Sequence, residues 1–172
     1  MSRWDTLIDL VKRHDWQRGA EIGVLRGKVF FALLSACPRL SMIGVDTWDY
    51  WPGPEQPNLE TGEARHSHLP MREYEVNVLA RANEFGSRAT IIKKVSIEAA
   101  KEVPDAALDF VFIDATHTTE AVLQDIAAWK PKIRAGGYIT GHDINWPSVE
   151  RAVASSFAQW REMPGHVWAT QV

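Results

Sequence analysis

Two short pieces of this sequence hold the residue types that proton transfer and metal binding need. Asp114 and His117 stand three apart in Ile113-Asp114-Ala115-Thr116-His117, and Gly141-His142-Asp143 follows later in the chain. If Asp114 and Asp143 end neighbouring strands, their carboxylates lie within one ion's reach, and oxygen ligands of that kind suit Mg²⁺. A metal there could bind a substrate hydroxyl and lower its pKa. His117, with an ordinary pKa near ~6.5, is suited to removing the hydroxyl proton. The competing reading makes Asp114 the cap of the following helix and His142 a satisfied strand-end residue, so geometry decides.

A second constellation is Glu21-Ile22-Gly23-Val24-Leu25-Arg26-Gly27. Glycines at a strand-to-helix turn let a ligand approach the backbone. A dinucleotide fingerprint starting at Gly23 needs glycines where Leu25 and Lys28 stand, which disfavours an NAD-linked protein. The spacing suits a nucleoside without a pyrophosphate. Asp46, 23 residues after Gly23, ends an apolar segment, where an acid can accept both ribose hydroxyls. Weaker signals lie nearby. His66 and His68 could chelate a metal, although a polar loop explains them as well. Trp48, Tyr50 and Trp51 could form an apolar lid over a substrate, with Trp146 on the opposite wall, or could pack their loop onto the body. Cys37, before Pro38, reads as a small buried residue.

These residues need elements to position them. Trp4, Leu7, Ile8 and Val11 follow helical spacing. Segments 19–24, 41–46, 89–94, 108–114 and 138–140 read as strands, and those at 19–24, 41–46 and 108–114 are solid apolar runs. Helices are expected at 29–36, 71–83, 96–102, around Val122, Ile126 and Trp129, and from Pro147 through Val149, Val153, Phe157 and Trp160. Residues 166–172 supply one last strand. Strand and helix alternate, which predicts a parallel sheet covered on both faces. Gly23, Asp46, Asp114 and Asp143 then meet at the carboxyl edge, where such sheets bind ligands. Residues 47–70 break the pattern with four prolines, Pro52, Pro54, Pro57 and Pro70, and read as an irregular, substrate-side insertion.

Length and composition fit one domain spanning residues 1–172. The chain is 45% apolar and 24% charged, which excludes disorder and coiled coil. A net charge of −3 without a basic cluster argues against nucleic acid. No apolar run is long enough for a membrane helix, no signal-peptide stretch opens the chain, and the single cysteine suits a reducing cytoplasm.

Glu21-Ile22-Gly23, Gly27, Ile43-Gly44-Val45-Asp46, the run Asp109 to His117 and Gly136-Gly137-Tyr138 resemble class I S-adenosylmethionine-dependent methyltransferases, over residues 18 to about 157. Ile113-Asp114-Ala115-Thr116-His117 and Gly141-His142-Asp143 are similar to the branch that includes macrocin O-methyltransferases and cephalosporin hydroxylase-type proteins. The resemblance implies that Gly23, Val24 and Gly27 pass close to the methionine part of the cofactor. It also implies that Glu21 helps hold the amino group, Asp46 the ribose, and that Val95 and Ser96 border the adenine. Macrocin-type relatives use the acid matching Asp114 as a metal ligand and the histidine matching His117 as the base. They usually carry an acid pair after the fifth strand. Here that pair begins with His142, and imidazole shifts preference from Mg²⁺ towards transition metals.

The expectation is therefore a Rossmann-like three-layer α/β sandwich with a mostly parallel sheet, shortened at its C-terminus to about six strands. A short sheet leaves an edge that a second subunit often covers, which points to a homodimer. The expected function is methyl transfer from S-adenosylmethionine to a small-molecule hydroxyl, with His117, Asp114 and Asp143 catalytic and Asp114, His142 and Asp143 as metal ligands. Alternatives are a metal-free N-methyltransferase and a cofactor-binding partner or sensor module.

Overall fold

The computed structural model describes residues 1–49 and 71–172. In chain order the elements are α1 (Arg3–His14), β1 (Arg18–Ile22), α2 (Lys28–Ala36), β2 (Ser41–Asp46), α3 (Met71–Glu84), β3 (Ala89–Lys93), α4 (Ser96–Ala100), β4 (Leu108–Ile113), α5 (Thr119–Trp129), β5 (Ile133–Gly141), α6 (Pro147–Ser156), β6 (Arg161–Met163) and β7 (Val167–Gln171). The strands form one seven-stranded sheet in the order β3-β2-β1-β4-β5-β7-β6. β1 to β5 are parallel, and β7 runs antiparallel to both β5 and β6.

β4 shows why the central strands read as unbroken apolar runs. All six of its residues are buried. Phe110 and Phe112 pack towards α1, α2 and α3 with Leu7, Leu10, Phe30 and Leu34. Val111 and Ile113 pack on the opposite face with Val122, Ile126 and Val149 of α5 and α6. A strand with helices on both sides has no solvent face, so the period-two polar alternation disappears.

Two expectations are corrected. The sheet has seven strands, not six. The extra strand, β6, is three residues long and mostly exposed, so it leaves no apolar run to read. It forms because α6 stops at Ser156. Phe157 turns to extended backbone (φ −137°, ψ 129°), and the chain beyond doubles back as a β6–β7 hairpin. Phe157 and Trp160 still pack on the core, from loop positions rather than a helix. The shortened sheet that suggested a second subunit is thus absent. Among the described residues no helix is long and apolar enough to cross a membrane.

Candidate functional site at the carboxyl edge of the sheet

The loop after β1 is held in a conformation few sequences adopt. Gly23, Leu25 and Gly27 all have positive φ, at 92°, 48° and 71°. A Cβ on Gly23 would sit 2.2 Å from the carbonyl oxygen of Asp114, so only glycine lets this loop lie against the end of β4. Asp46, at the end of β2, fastens the loop. Its Oδ2 accepts from the Leu25 N–H at 2.8 Å and its Oδ1 from the Trp48 N–H at 2.9 Å. Trp48 returns the contact, its Nε1 donating to the Leu25 carbonyl at 2.8 Å. Trp48 is buried in the core with Val24, so it braces the loop and is not a lid. Each oxygen of Asp46 keeps a second acceptor position for a ligand. Val24, also buried, can offer a ligand only its backbone.

Val95 and Ser96 lie just beyond β3. Val95 is exposed, but the Ser96 hydroxyl turns inward and accepts from Trp129 Nε1 at 2.9 Å, so that side chain is not turned towards adenine. Val95 stands at the N-cap of α4. Tyr50, Trp51, His66 and His68 lie outside the described residues.

The adjacent ends of β4 and β5 bring the predicted chemistry together. Asp114 N–H donates to the Ile22 carbonyl at 2.7 Å, and His142 N–H to the Ile113 carbonyl at 3.0 Å, so β1, β4 and β5 finish side by side. Asp114, His117 and Asp143 each offer one ligand atom, all within 4.8 Å of one another. His117 Nε2 is 2.7 Å from Asp143 Oδ2 and 3.6 Å from Asp114 Oδ1. His142 Nδ1 approaches the same two oxygens, at 3.1 and 3.6 Å. The helix-cap alternative for Asp114 fails, because Thr118 caps α5 by accepting from Ala121 N–H. Trp146 is buried, its ring stacked at a tilt against His117 with centroids 4.9 Å apart, so it backs the imidazole instead of closing over a ligand.

The electrostatics are those of an incomplete cluster. Burial alone would lower the His117 pKa, but the carboxylates of Asp114 and Asp143 outweigh it and raise the value to about 9. Burial would raise Asp143, yet the flanking His117 and His142 hold it far below the ordinary carboxylate range. Glu21, on β1, is fully buried; desolvation first, and then the negative charge of Asp114, push its pKa well up.

Sequence reasoning missed Arg3 and Trp168. Arg3, in the first turn of α1, has its Nε 3.4 Å from Asp114 Oδ2. Trp168, on β7, lines the same recess as Asp114, His117 and His142. The Ser2-x-x-Asp5 capping box was a legible sign that a helix begins beside Arg3. Nothing in the sequence links that turn to Asp114.

One property unites this edge. Among the described residues, five buried side-chain atoms lack a well-aligned hydrogen bond: Arg3 Nε, His117 Nε2 and His142 Nδ1, which meet Asp114 or Asp143 only as ion pairs, and Glu21 Oε2 and Trp168 Nε1. All five gather around Asp114 and the end of β5. Folded proteins pair the great majority of such atoms, so a local concentration of exceptions marks where a ligand belongs.

A family model described as a methyltransferase domain matches residues 20–144, more than half of the chain. The chain belongs to this methyltransferase family. As a member it is an S-adenosylmethionine-dependent methyltransferase. None of the curated proteins compared matches its sequence. Solved structures share its fold. An SAH-bound methyltransferase from Podospora anserina superposes with a TM-score of 0.69 at 11% identity, covering 97% of this chain and 76% of that one. A Klebsiella pneumoniae protein described as an O-methyltransferase gives 0.68 at 15% identity, covering 99% and 79%. A Staphylococcus aureus protein described as a caffeoyl-CoA O-methyltransferase gives 0.65 at 14% identity, covering 96% and 80%. The methyltransferase places Glu21, Gly23 and Asp114 inside the matched segment and Arg3 and Trp168 outside it.

Proposed function

We propose that this methyltransferase transfers the methyl group of S-adenosylmethionine to a hydroxyl of a small molecule. The observation that supports the reading is the group of buried atoms without a well-aligned hydrogen bond around Asp114, next to a glycine loop and Asp46 already held in place. Two of the similar structures are described as O-methyltransferases, which agrees with it. S-adenosylmethionine supplies an electrophilic methyl on a sulfonium, which leaves as a neutral thioether. Asp46 would accept hydrogen bonds from the ribose hydroxyls, and Glu21 would face the α-ammonium. His117 would take the hydroxyl proton at Nε2 as the acceptor oxygen gains the methyl. Holding oxygen, carbon and sulfur in line is most of the catalysis such a reaction needs.

His117 can act this way only when neutral. With its pKa near 9 it carries a proton at neutral pH, held there by Asp114 and Asp143. The residues fit a divalent cation that would replace that proton's charge: Asp114 and Asp143 provide oxygens, His142 an Nδ1 that faces both of them, and a set containing imidazole suits a transition metal better than Mg²⁺. Such an ion would supply Lewis acidity to a bound hydroxyl.

The test is product formation. Purified protein is incubated with labelled S-adenosylmethionine and a panel of phenolic, catecholic and sugar hydroxyls, with and without Mn²⁺, Zn²⁺ or Mg²⁺. O-methylated product that depends on His117 is the expected result. Methylation of amines alone, indifferent to chelators, would replace this reading with the N-methyltransferase one.

A further inference from the structure

Arg3, a cation, and Glu21, an acid whose pKa burial and the charge of Asp114 push well up, both lie beside Asp114, and each has a buried polar atom without a hydrogen-bond partner. Arg3 Nε is 3.4 Å from Asp114 Oδ2 but not aligned to donate to it. The Arg3 side chain is one-third exposed, although its Nε is buried. Its position is not left to chance. Ser2 Oγ accepts from Asp5 N–H, and Asp5 Oδ2 accepts from Ser2 N–H, which fixes the first turn of α1. Thr6 Oγ1 donates to the Pro164 carbonyl at 2.7 Å and pins that turn to the β6–β7 hairpin. A guanidinium beside Asp114 matches the carboxylate of an α-amino acid, and a buried acid that ionises when an ammonium comes against it matches the other end.

We propose that Arg3 binds the α-carboxylate of the methionine moiety of S-adenosylmethionine, with Glu21 at the α-ammonium. The proposal rests on the cofactor reading above and assigns a cofactor contact to a helix that precedes the family-matched segment. Arg3 is suited to it because the planar guanidinium meets a carboxylate with two parallel N–H groups. The competing role is simple charge balance, in which Arg3 only offsets Glu21 and Asp114.

Calorimetry separates the two with a pair of ligands: S-adenosylmethionine and its decarboxylated analogue, which keeps the nucleoside, sulfonium and amine. The wild-type chain should prefer the intact cofactor by about 10-fold or more, the worth of a charge-assisted hydrogen bond. Arg3→Gln should abolish most of that preference while leaving the analogue's affinity unchanged, and Arg3→Lys should keep part of it. Equal losses for both ligands, or an unchanged preference in Arg3→Gln, would overturn the assignment in favour of charge balance. Wild-type binding without preference would also overturn it, leaving the cofactor reading intact. If neither ligand binds the wild-type chain, the cofactor reading fails and this assignment with it.

Discussion

The two halves of the carboxyl edge are built on opposite principles. Beside β1 and β2, Asp46, the Leu25 N–H and the Trp48 indole satisfy one another. Beside β4 and β5, buried nitrogens of His117, His142, Arg3 and Trp168 lack a well-aligned hydrogen bond, the first three being held by ion pairs to Asp143 and Asp114. Both halves stand at strand ends of one sheet, so the difference does not lie in the scaffold. A nucleoside is neutral, and a preformed cradle can wait for it at little cost. The methionine end, the acceptor and any cation are charged or become charged, and a site complementary to them must hold charges whose partners can be exchanged when they arrive. The contrast suggests a division in which one half binds and the other reacts.

Replacing His117 by Ala tests that division most severely. Methyl transfer should slow by ~10²–10⁴-fold, the usual worth of a positioned base. Cofactor affinity measured by calorimetry should stay within a few-fold, and an equal loss of affinity would erase the distinction. The converse change is Asp46→Ala. It removes a carboxylate that fastens the loop and would accept from the ribose, so cofactor affinity should fall at least ~10-fold. If affinity is unchanged, the cofactor does not lie along β2.

The half beside β4 and β5 should respond to pH and to metal. Without added cation, kcat/KM should rise as pH climbs towards about 9, because His117 must lose its proton before it can accept one. A bound divalent cation should move that rise to lower pH by repelling the same proton. A profile flat from pH 6 to 9 would remove His117 as the base. His142→Glu should weaken Zn²⁺ binding by about 10-fold and narrow its advantage over Mg²⁺ and Mn²⁺, read by metal titration. Unaltered selectivity would show that His142 is not a ligand.

A change away from both halves should leave function alone. Asp125, on α5, is buried, and desolvation raises its pKa to about 6, although the Ser96 hydroxyl partly opposes this. A raised acid binds a proton in the folded state that the unfolded state has already lost. Stability is therefore greatest below the unfolded pKa near ~3.9 and declines as pH rises through about 6. Asp125→Asn should flatten that decline and stabilise the protein at pH 8 by roughly 2–3 kcal/mol, at 1.36 kcal/mol per unit. Thermal melts across pH check it, and kcat should not move.

Much of this arrangement was legible along the chain. Solid apolar runs ending in Gly23, Asp46 and Asp114 located the edge, since a strand buried on both faces can end in a polar residue only where it leaves the core. Other readings failed where local pattern is silent. Trp48 looks the same in sequence whether it covers a ligand or braces a loop; the hydrogen bond to Leu25 decides. Ser96 resembled a cofactor neighbour, but Trp129, 33 residues away, claims its hydroxyl.

By itself the sequence determined the alternation of strands and helices, the glycine turn at Gly23 and the Asp-x-x-His spacing that puts Asp114 and His117 on one turn. These depend on neighbours within a few residues, where backbone preference and hydrophobic period act directly. Only the tertiary structure decided that His142 and His117 face the same two carboxylate oxygens, that α6 yields its last turn to a β6–β7 hairpin, and that Arg3 reaches Asp114. Those contacts join residues far apart in the chain. Their energy comes from paired charge and buried surface in the assembled fold, which no local pattern of residue types encodes.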